Sequence, residues 1–318
     1  MNSMKDNFDD DITTVLENNS FKTTYKFDLN MGYGLMEIYH VLSGIDLCYN
    51  EFNAEDCNQL KTSNNYKNYI IINHCQKGRF ETFFKGKYIF LSEGDLIFSS
   101  GATEYTHNFT LGFYKGLQII INIEKAQESI DKVIGANAID LKKLSENIKN
   151  NGSFAVIRSS KEVEHVISEL YDVEENIKRA YYKLKVIELL LFLKNNEIQS
   201  LNYVFPNLKE ENIEKIKQIR KYLMENYSEN ITFNELSKKF KISTTSIKNY
   251  FKIMYGKPLF TWQREYRLNQ AANYLKNSNM SISDISFLIG YKDSSKFAKA
   301  FKNYYNVTPL KYKKFHKN

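Results

Sequence analysis

The hydrophobic pattern changes period near residue 124. From about residue 21 to 123, short runs of β-branched and aromatic residues alternate with turn residues. Tyr69-Ile70-Ile71-Ile72, Phe80-Glu81-Thr82-Phe83-Phe84, Tyr88-Ile89-Phe90-Leu91, Asp95-Leu96-Ile97-Phe98 and 117–123 predict strands. Lys85-Gly86-Lys87 and Ser92-Glu93-Gly94-Asp95 carry turn chemistry between them. Many short strands with Gly-containing turns point to a sandwich or small barrel. Beyond Glu124 the spacing becomes helical: 126–134 and 140–148 predict short helices, 161–177 and 180–193 longer ones. In 161–177 the apolar face is Val163, Val166, Ile167, Leu170, Tyr171 and Val173; in 180–193 it is Leu184, Ile187, Leu190 and Leu191. Residues 195–210, with Asn195-Asn196 and Pro206, read as a linker. Residues 1–20 are polar and acidic and predict a disordered tail.

The last hundred residues have a different texture. Ile213, Ile216, Ile219, Tyr222 and Leu223 form one helical stripe. Thr232-x-x-Glu235 is a capping-box spacing that opens a second helix, with Leu236 and Phe240 inward. After a short break Ser243 opens a third, whose inner face is Ile247, Tyr250, Phe251 and Met254. Thr244, Thr245, Lys248 and Asn249 are left pointing outward. Two short helices, a tight turn and a polar outer face describe a helix-turn-helix. About fifty residues later the arrangement recurs. Ser281-x-x-Asp284 opens a helix, Ile285 and Leu288 supply the buried face, and Gly290 stands where the turn asks for a left-handed residue. Phe297, Phe301 and Tyr304 then face inward while Ser294, Ser295, Lys296 and Lys299 face outward. Between the copies, 258–277 predicts one helix of roughly 30 Å at about 1.5 Å per residue. That is close to the ~34 Å turn of B-DNA, so it suits two recognition helices in successive major grooves.

Charge sharpens this division. Residues 213–318 hold 21 Lys+Arg against 7 Asp+Glu, a net of +14; residues 1–212 hold 23 against 30, a net of −7, and together they give the chain's +7. A basic module on an acidic remainder is the footprint of nucleic-acid binding. The acidic N-terminus has no apolar core, so a secretory signal is not expected, and no run of about 18 apolar residues suggests a membrane span. Cys48, Cys57 and Cys75 share no metal-ligand spacing and fit reduced thiols in a cytoplasmic protein.

Arg267-Leu268-x-x-Ala271-x-x-x-Leu275, Ile282-x-x-Ile285, Gly290-Tyr291, Phe297-x-x-x-Phe301-Lys302 and Thr308-Pro309-x-x-Tyr312 resemble the AraC/XylS family of regulators over about residues 213–315. The resemblance implies seven helices with two helix-turn-helix units contacting adjacent major grooves near a promoter. It places the base-reading positions on Thr244, Thr245, Lys248 and Asn249 in the first unit and on Ser294, Ser295, Lys296 and Lys299 in the second. One departure is Lys241, where the family usually has Gly in the first turn.

In the N-terminal part, His74-Cys75-x-x-Gly78-Arg79-x-Glu81 and Leu91-Ser92-Glu93-Gly94-Asp95-Leu96 resemble the sensory domain of pyochelin-regulator-type members. That resemblance implies a cupin-like β-barrel followed by helices, and an iron–siderophore complex as the first effector to try. The expected fold is therefore α+β. A tail (1–20) precedes a cupin-like sensor (21–124), a helical connector for dimerisation with its linker (125–210), and an all-α DNA-binding module (211–318). The expected partners are double-stranded promoter DNA and a small-molecule effector, with RNA polymerase and a second copy of the chain as candidates and no membrane. No residue is assigned to the effector, and no cofactor, metal or catalytic residue is expected. The alternative is a metal-dependent cupin-type enzyme fused to a DNA-binding module. His40, His74, His107 and His165 lack the His-x-His spacing such a site uses, although His74 and His107 would be able to meet inside a barrel.

Overall fold

The computed structural model describes residues 11–29, 32–54, 66–84, 87–102, 106–109, 111–150, 152–159, 161–195 and 208–316. They fall into two units, 1–207 and 208–318. Most of the expected linker, the Lys85-Gly86 turn and the first ten residues of the expected tail lie outside the described residues.

The first unit contains eleven strands among the described residues: β1 (Thr13–Asn18), β2 (Lys22–Leu29), β3 (Gly32–Leu42), β4 (Ile45–Asn53), β5 (Tyr66–Gly78), β6 (Phe80–Phe84), β7 (Lys87–Leu91), β8 (Leu96–Ala102), β9 (Thr106–Asn108), β10 (Tyr114–Asn122) and β11 (Phe154–Ile157). They build an eight-stranded sheet ordered β1-β2-β3-β4-β10-β5-β8-β11 and a three-stranded sheet ordered β7-β6-β9. Every pairing is antiparallel. Among the described residues β1 and β11 end the ladder and do not pair with each other, so the hydrogen bonding gives two open sheets and no closed barrel.

The large sheet is apolar on both faces. On β10, Leu117, Ile119 and Ile121 join one core while Tyr114 and Ile120 join the other, the period of two that a strand imposes. Phe80, Ile89 and Leu91 of the small sheet cover the second face. Helices α1 (Ile123–Ile134), α2 (Leu141–Asn150), α3 (Lys161–Ser168) and α4 (Lys178–Asn195) belong to the first core. From α4, Val186, Leu189, Leu190 and Leu193 are almost fully buried. Each large aliphatic side chain contributes roughly 1.5–3 kcal/mol by leaving water.

Two expectations need correction, and a third point is an element that was not expected. Residues 13–18 are not a loose tail: they form β1, held by backbone pairing to β2, with Leu16 still exposed. The helix expected over 161–177 stops at Ser168. Leu170 O accepts the Tyr49 hydroxyl instead of a helical N–H, and the Tyr171 hydroxyl bonds to His74 Nδ1 at 2.8 Å. Turns then carry the chain to α4. The third is β11, a four-residue strand in a stretch that helical and strand periodicity left unassigned.

Ser92-Glu93-Gly94-Asp95 forms the expected turn. Gly94 has φ +82°, and a Cβ there would lie 2.5 Å from Ser159 Oγ. The Asp95 side chain, 4% exposed, ties this turn to the end of β11. Its Oδ2 accepts from Ser92 N at 2.8 Å and from Arg158 Nη1, and its Oδ1 accepts from Ser159 N at 3.3 Å. His40 pairs with Asp46 at 2.8 Å, which raises its pKa. Burial holds the His74 imidazole down at about 4. The His107 side chain lies outside the described residues.

Candidate nucleic-acid interface

Among the described residues the second unit is seven helices: α5 (Glu210–Glu225), α6 (Phe233–Phe240), α7 (Thr244–Tyr255), α8 (Leu259–Asn277), α9 (Ile282–Leu288), α10 (Ser294–Tyr305) and α11 (Pro309–Phe315). Both expected capping boxes form. Thr232 N donates to Glu235 Oε2 at 2.6 Å and Thr232 Oγ1 accepts from Glu235 N at 3.3 Å. The bonds that Thr232 N and Thr232 Oγ1 donate to the Glu235 carboxylate lower its pKa. Ser281 and Asp284 repeat the exchange at 3.1 and 3.3 Å. The two outer helices start on caps of their own. Ser243 Oγ accepts from Ser246 N at 3.1 Å, and Asp293 Oδ1 accepts from Ser295 N at 2.7 Å and Lys296 N at 3.2 Å. A cap of this type is worth about 1 kcal/mol.

Both turns are left-handed. Lys241 closes α6 at φ +51°, ψ +51°, at a cost of roughly 1 kcal/mol for a side chain. Gly290 has φ +86°, and a Cβ on it would stand 2.1 Å from Ser228 O, in the loop between α5 and α6. The second turn therefore leans on backbone that belongs to the first half.

Helix α8 is the spine shared by both halves. Trp262 packs against Phe251 of α7 at 5.5 Å between centroids, and the Arg220 guanidinium lies over the Trp262 ring at 5.7 Å. Further along, Leu268, Ala271, Ala272 and Leu275 form one core with Ile285, Ile289, Phe297 and Phe301. Arg267 adds a brace: its Nε donates to Tyr227 O and its Nη2 to Glu229 O at 2.7 Å.

The eight sequence-selected residues fall on the first turns of α7 and α10 and just beyond. Thr245, Lys248 and Asn249 are exposed on α7, as are Ser295, Lys296 and Lys299 on α10. Thr244 and Ser294, the first residue of each helix, are half-buried. Lys248 Nζ lies 4.9 Å from the centre of the Phe233 ring, a contact that its spacing gave no hint of. Sequence reasoning also missed the bracing role of Arg267, because the partners are carbonyl oxygens 38 and 40 positions earlier.

A family model described as a helix-turn-helix domain matches residues 236–314. The uncharacterized HTH-type transcriptional regulator YdeC of Bacillus subtilis is 25% identical over 138 residues, 43% of this chain and 47% of its own length. The matched stretch thus spans about half the length of that curated relative. The probable transcription factor PqrA of Proteus vulgaris is 31% identical over 86 residues, 27% of this chain and 70% of its own length. The chain belongs to the AraC/XylS family of transcriptional regulators. Among solved structures, the C-terminal domain of the response regulator yesN from Fusobacterium nucleatum is 26% identical, covering 30% of this chain and 96% of that one, with a TM-score of 0.29. In this AraC/XylS chain the sequence motifs also explain the packing. Leu268, Ala271, Leu275, Ile285, Phe297 and Phe301, quoted above for their spacing, are all at most 1% exposed.

Proposed function

We propose that the chain binds double-stranded promoter DNA sequence-specifically and regulates transcription, with α7 and α10 in successive major grooves. The observation that carries this reading is the pair of capped helices with exposed Thr245, Lys248 and Asn249 and exposed Ser295, Lys296 and Lys299 on a segment of net charge +14. The nineteen residues of α8 measure about 28 Å, against about 34 Å for one turn of B-DNA. Thr244 and Ser294, at the helix starts, suit backbone phosphates.

Base readout is tested by Lys296→Ala and Asn249→Ala. Lysine donates to guanine O6 and N7 and asparagine pairs with adenine, at about 1–3 kcal/mol of discrimination each. Electrophoretic titration should show a loss of that size on the selected operator and little change on random DNA. Equal losses on both would assign the residue to phosphate positioning instead.

The N-terminal unit is read as a cupin-like sensor of a small-molecule effector, without enzymatic activity, acting in the cytoplasm. RNA polymerase at the promoter and a second copy of the chain are its macromolecular partners. Self-association is supported by Ile177, Leu184 and Leu191. They recur every seven residues, Ile177 just before α4 and the two leucines along it, and remain 46%, 64% and 42% exposed. Residues 208–318 alone are expected to bind the operator, with log affinity falling against log salt by about 0.9 per phosphate contact. They should lose effector response and self-association. In the full chain, Leu184→Glu with Leu191→Glu should give a monomer by sedimentation with unchanged melting of the second unit. A fragment that keeps the effector response, or a double variant that stays dimeric, would refute the division of labour.

A further inference from the structure

One cleft of the first unit, about 270 Å³, opens between the sheet and the segment that replaces the expected helix after Ser168. Four tyrosines form its walls: Tyr39 of β3, Tyr49 of β4, Tyr171 of the connection, and Tyr182 of α4. They pack edge to face or tilted, with centroids 5.1 to 6.0 Å apart. Burial raises the Tyr49, Tyr171 and Tyr182 hydroxyl pKa values, so the walls stay uncharged. Three of the hydroxyls are already engaged. Tyr49 donates to Leu170 O, Tyr171 bonds to His74, and Tyr39 accepts from Lys178 at 3.4 Å.

What the cleft leaves unused is acceptors. Gln76 Oε1 is buried in the lining with no hydrogen-bond partner. It lies two residues after His74, which reaches Tyr171, at the point where the β5–β10 register shifts, and it lines the same cleft as Tyr171. Asp172 lines the cleft with no ion-pair partner among the described residues, whereas the lining lysines are matched. Lys115 lies 3.1 Å from Glu51, and Lys178 lies 2.6 Å from Glu175. The tyrosine wall already holds ammonium groups. Lys178 Nζ stands 5.4 Å and Lys22 Nζ 5.5 Å from the centre of the Tyr39 ring, within cation–π range.

We propose that this cleft is the effector site and that its ligand is a small organic cation, an amine or quaternary ammonium, whose charge is met by Asp172, Gln76 and the tyrosine faces. The assignment rests on the reading of the N-terminal unit as a sensor. The site lies between the sheet and helices, not inside a barrel. Lys178 and Tyr182 put its wall on the helix that carries the exposed Leu184 and Leu191 and directly follows Ile177. A ligand here touches the element read above as the dimer contact.

Calorimetric titration of the full chain tests it, with tyramine and choline as probes. The neutral counterparts are 4-hydroxyphenylethanol and 3,3-dimethylbutanol, and the anionic one is 4-hydroxyphenylacetate. At least one cation should bind tenfold or more tightly than its counterparts. Asp172→Asn, an exposed change that leaves folding intact, should weaken it at least fivefold, and Tyr182→Leu likewise. Lys178→Gln should strengthen it severalfold by removing a like charge. Binding of neither cation, equal binding of the counterparts, or unchanged affinity in Asp172→Asn overturns the assignment. Operator titration with the same probes reads effector control separately. A cation that binds in the cleft without altering operator affinity keeps the site and removes effector control. An operator response to the alcohols or the anion alone keeps effector control and removes the cation assignment.

Discussion

Gly290→Val is expected to unfold the second helix-turn-helix and abolish operator binding. Two costs combine at this position. A side chain at φ +86° loses roughly 1–2 kcal/mol. Its Cβ would stand 2.1 Å from Ser228 O, a backbone atom that has no rotamer in which to escape. Forcing atoms into packed space adds about 1–3 kcal/mol. The sum, about 2–5 kcal/mol, is a large share of the 5–15 kcal/mol typical of a domain. Gly290→Ala carries the same Cβ and should fall nearly as far, which separates the clash from the bulk of valine. Lys241→Gly gives the opposite control. It relieves the left-handed strain but gains chain entropy in the unfolded state, so its stability should change by less than about 1 kcal/mol. Chemical denaturation and operator titration of the three variants check both signs. Full activity in Gly290→Ala would show that the Ser228 loop yields.

Asp95→Ala should destabilise the first unit by about 3 kcal/mol and leave DNA binding by residues 208–318 untouched. The carboxylate serves Ser92 N, Ser159 N and Arg158. Losing it strands two backbone donors, at about 1–3 kcal/mol for each that stays buried. Arg158, 40% exposed, recovers part of its loss from water. Asp95→Asn keeps one acceptor oxygen and should cost about half as much. Urea unfolding followed by a probe in the first unit measures it. A loss below about 1 kcal/mol would mean that water reaches both amides.

The second unit was legible because its signals are local. Capping boxes at Thr232 and Ser281, the glycine at 290 and apolar residues at helical spacing lie within a few positions of one another. Each acts through backbone geometry that needs no distant partner. The first unit is held by distant partners, and its errors follow from that. The apolar spacing of Val163 to Val173 fits a helix, yet hydrogen bonds from Tyr49 and His74, some hundred residues earlier, draw Leu170 and Tyr171 away from one. β11 is a strand only because β8 offers it a free edge. On α7 and α10 the outward residues were readable from the helical period. The contact of Lys248 with Phe233 was not, because it joins two helices across a turn.

The shared spine bears on how tightly the chain can hold an operator. In the proposed complex, once α7 is docked α10 searches no volume, since α8, Arg267 and the Gly290–Ser228 contact fix its place. Its encounter with the second groove is intramolecular, with the high effective concentration of a stiff tether of matching length. The same stiffness leaves no tolerance in spacing. One base pair inserted between the half-sites moves the second groove by about 3.4 Å and turns it by about 35°. A flexible linker would absorb that shift with a small loss of affinity. This chain would forfeit the second unit's contribution entirely, so operators that bind it well should share one spacing even where their sequences differ.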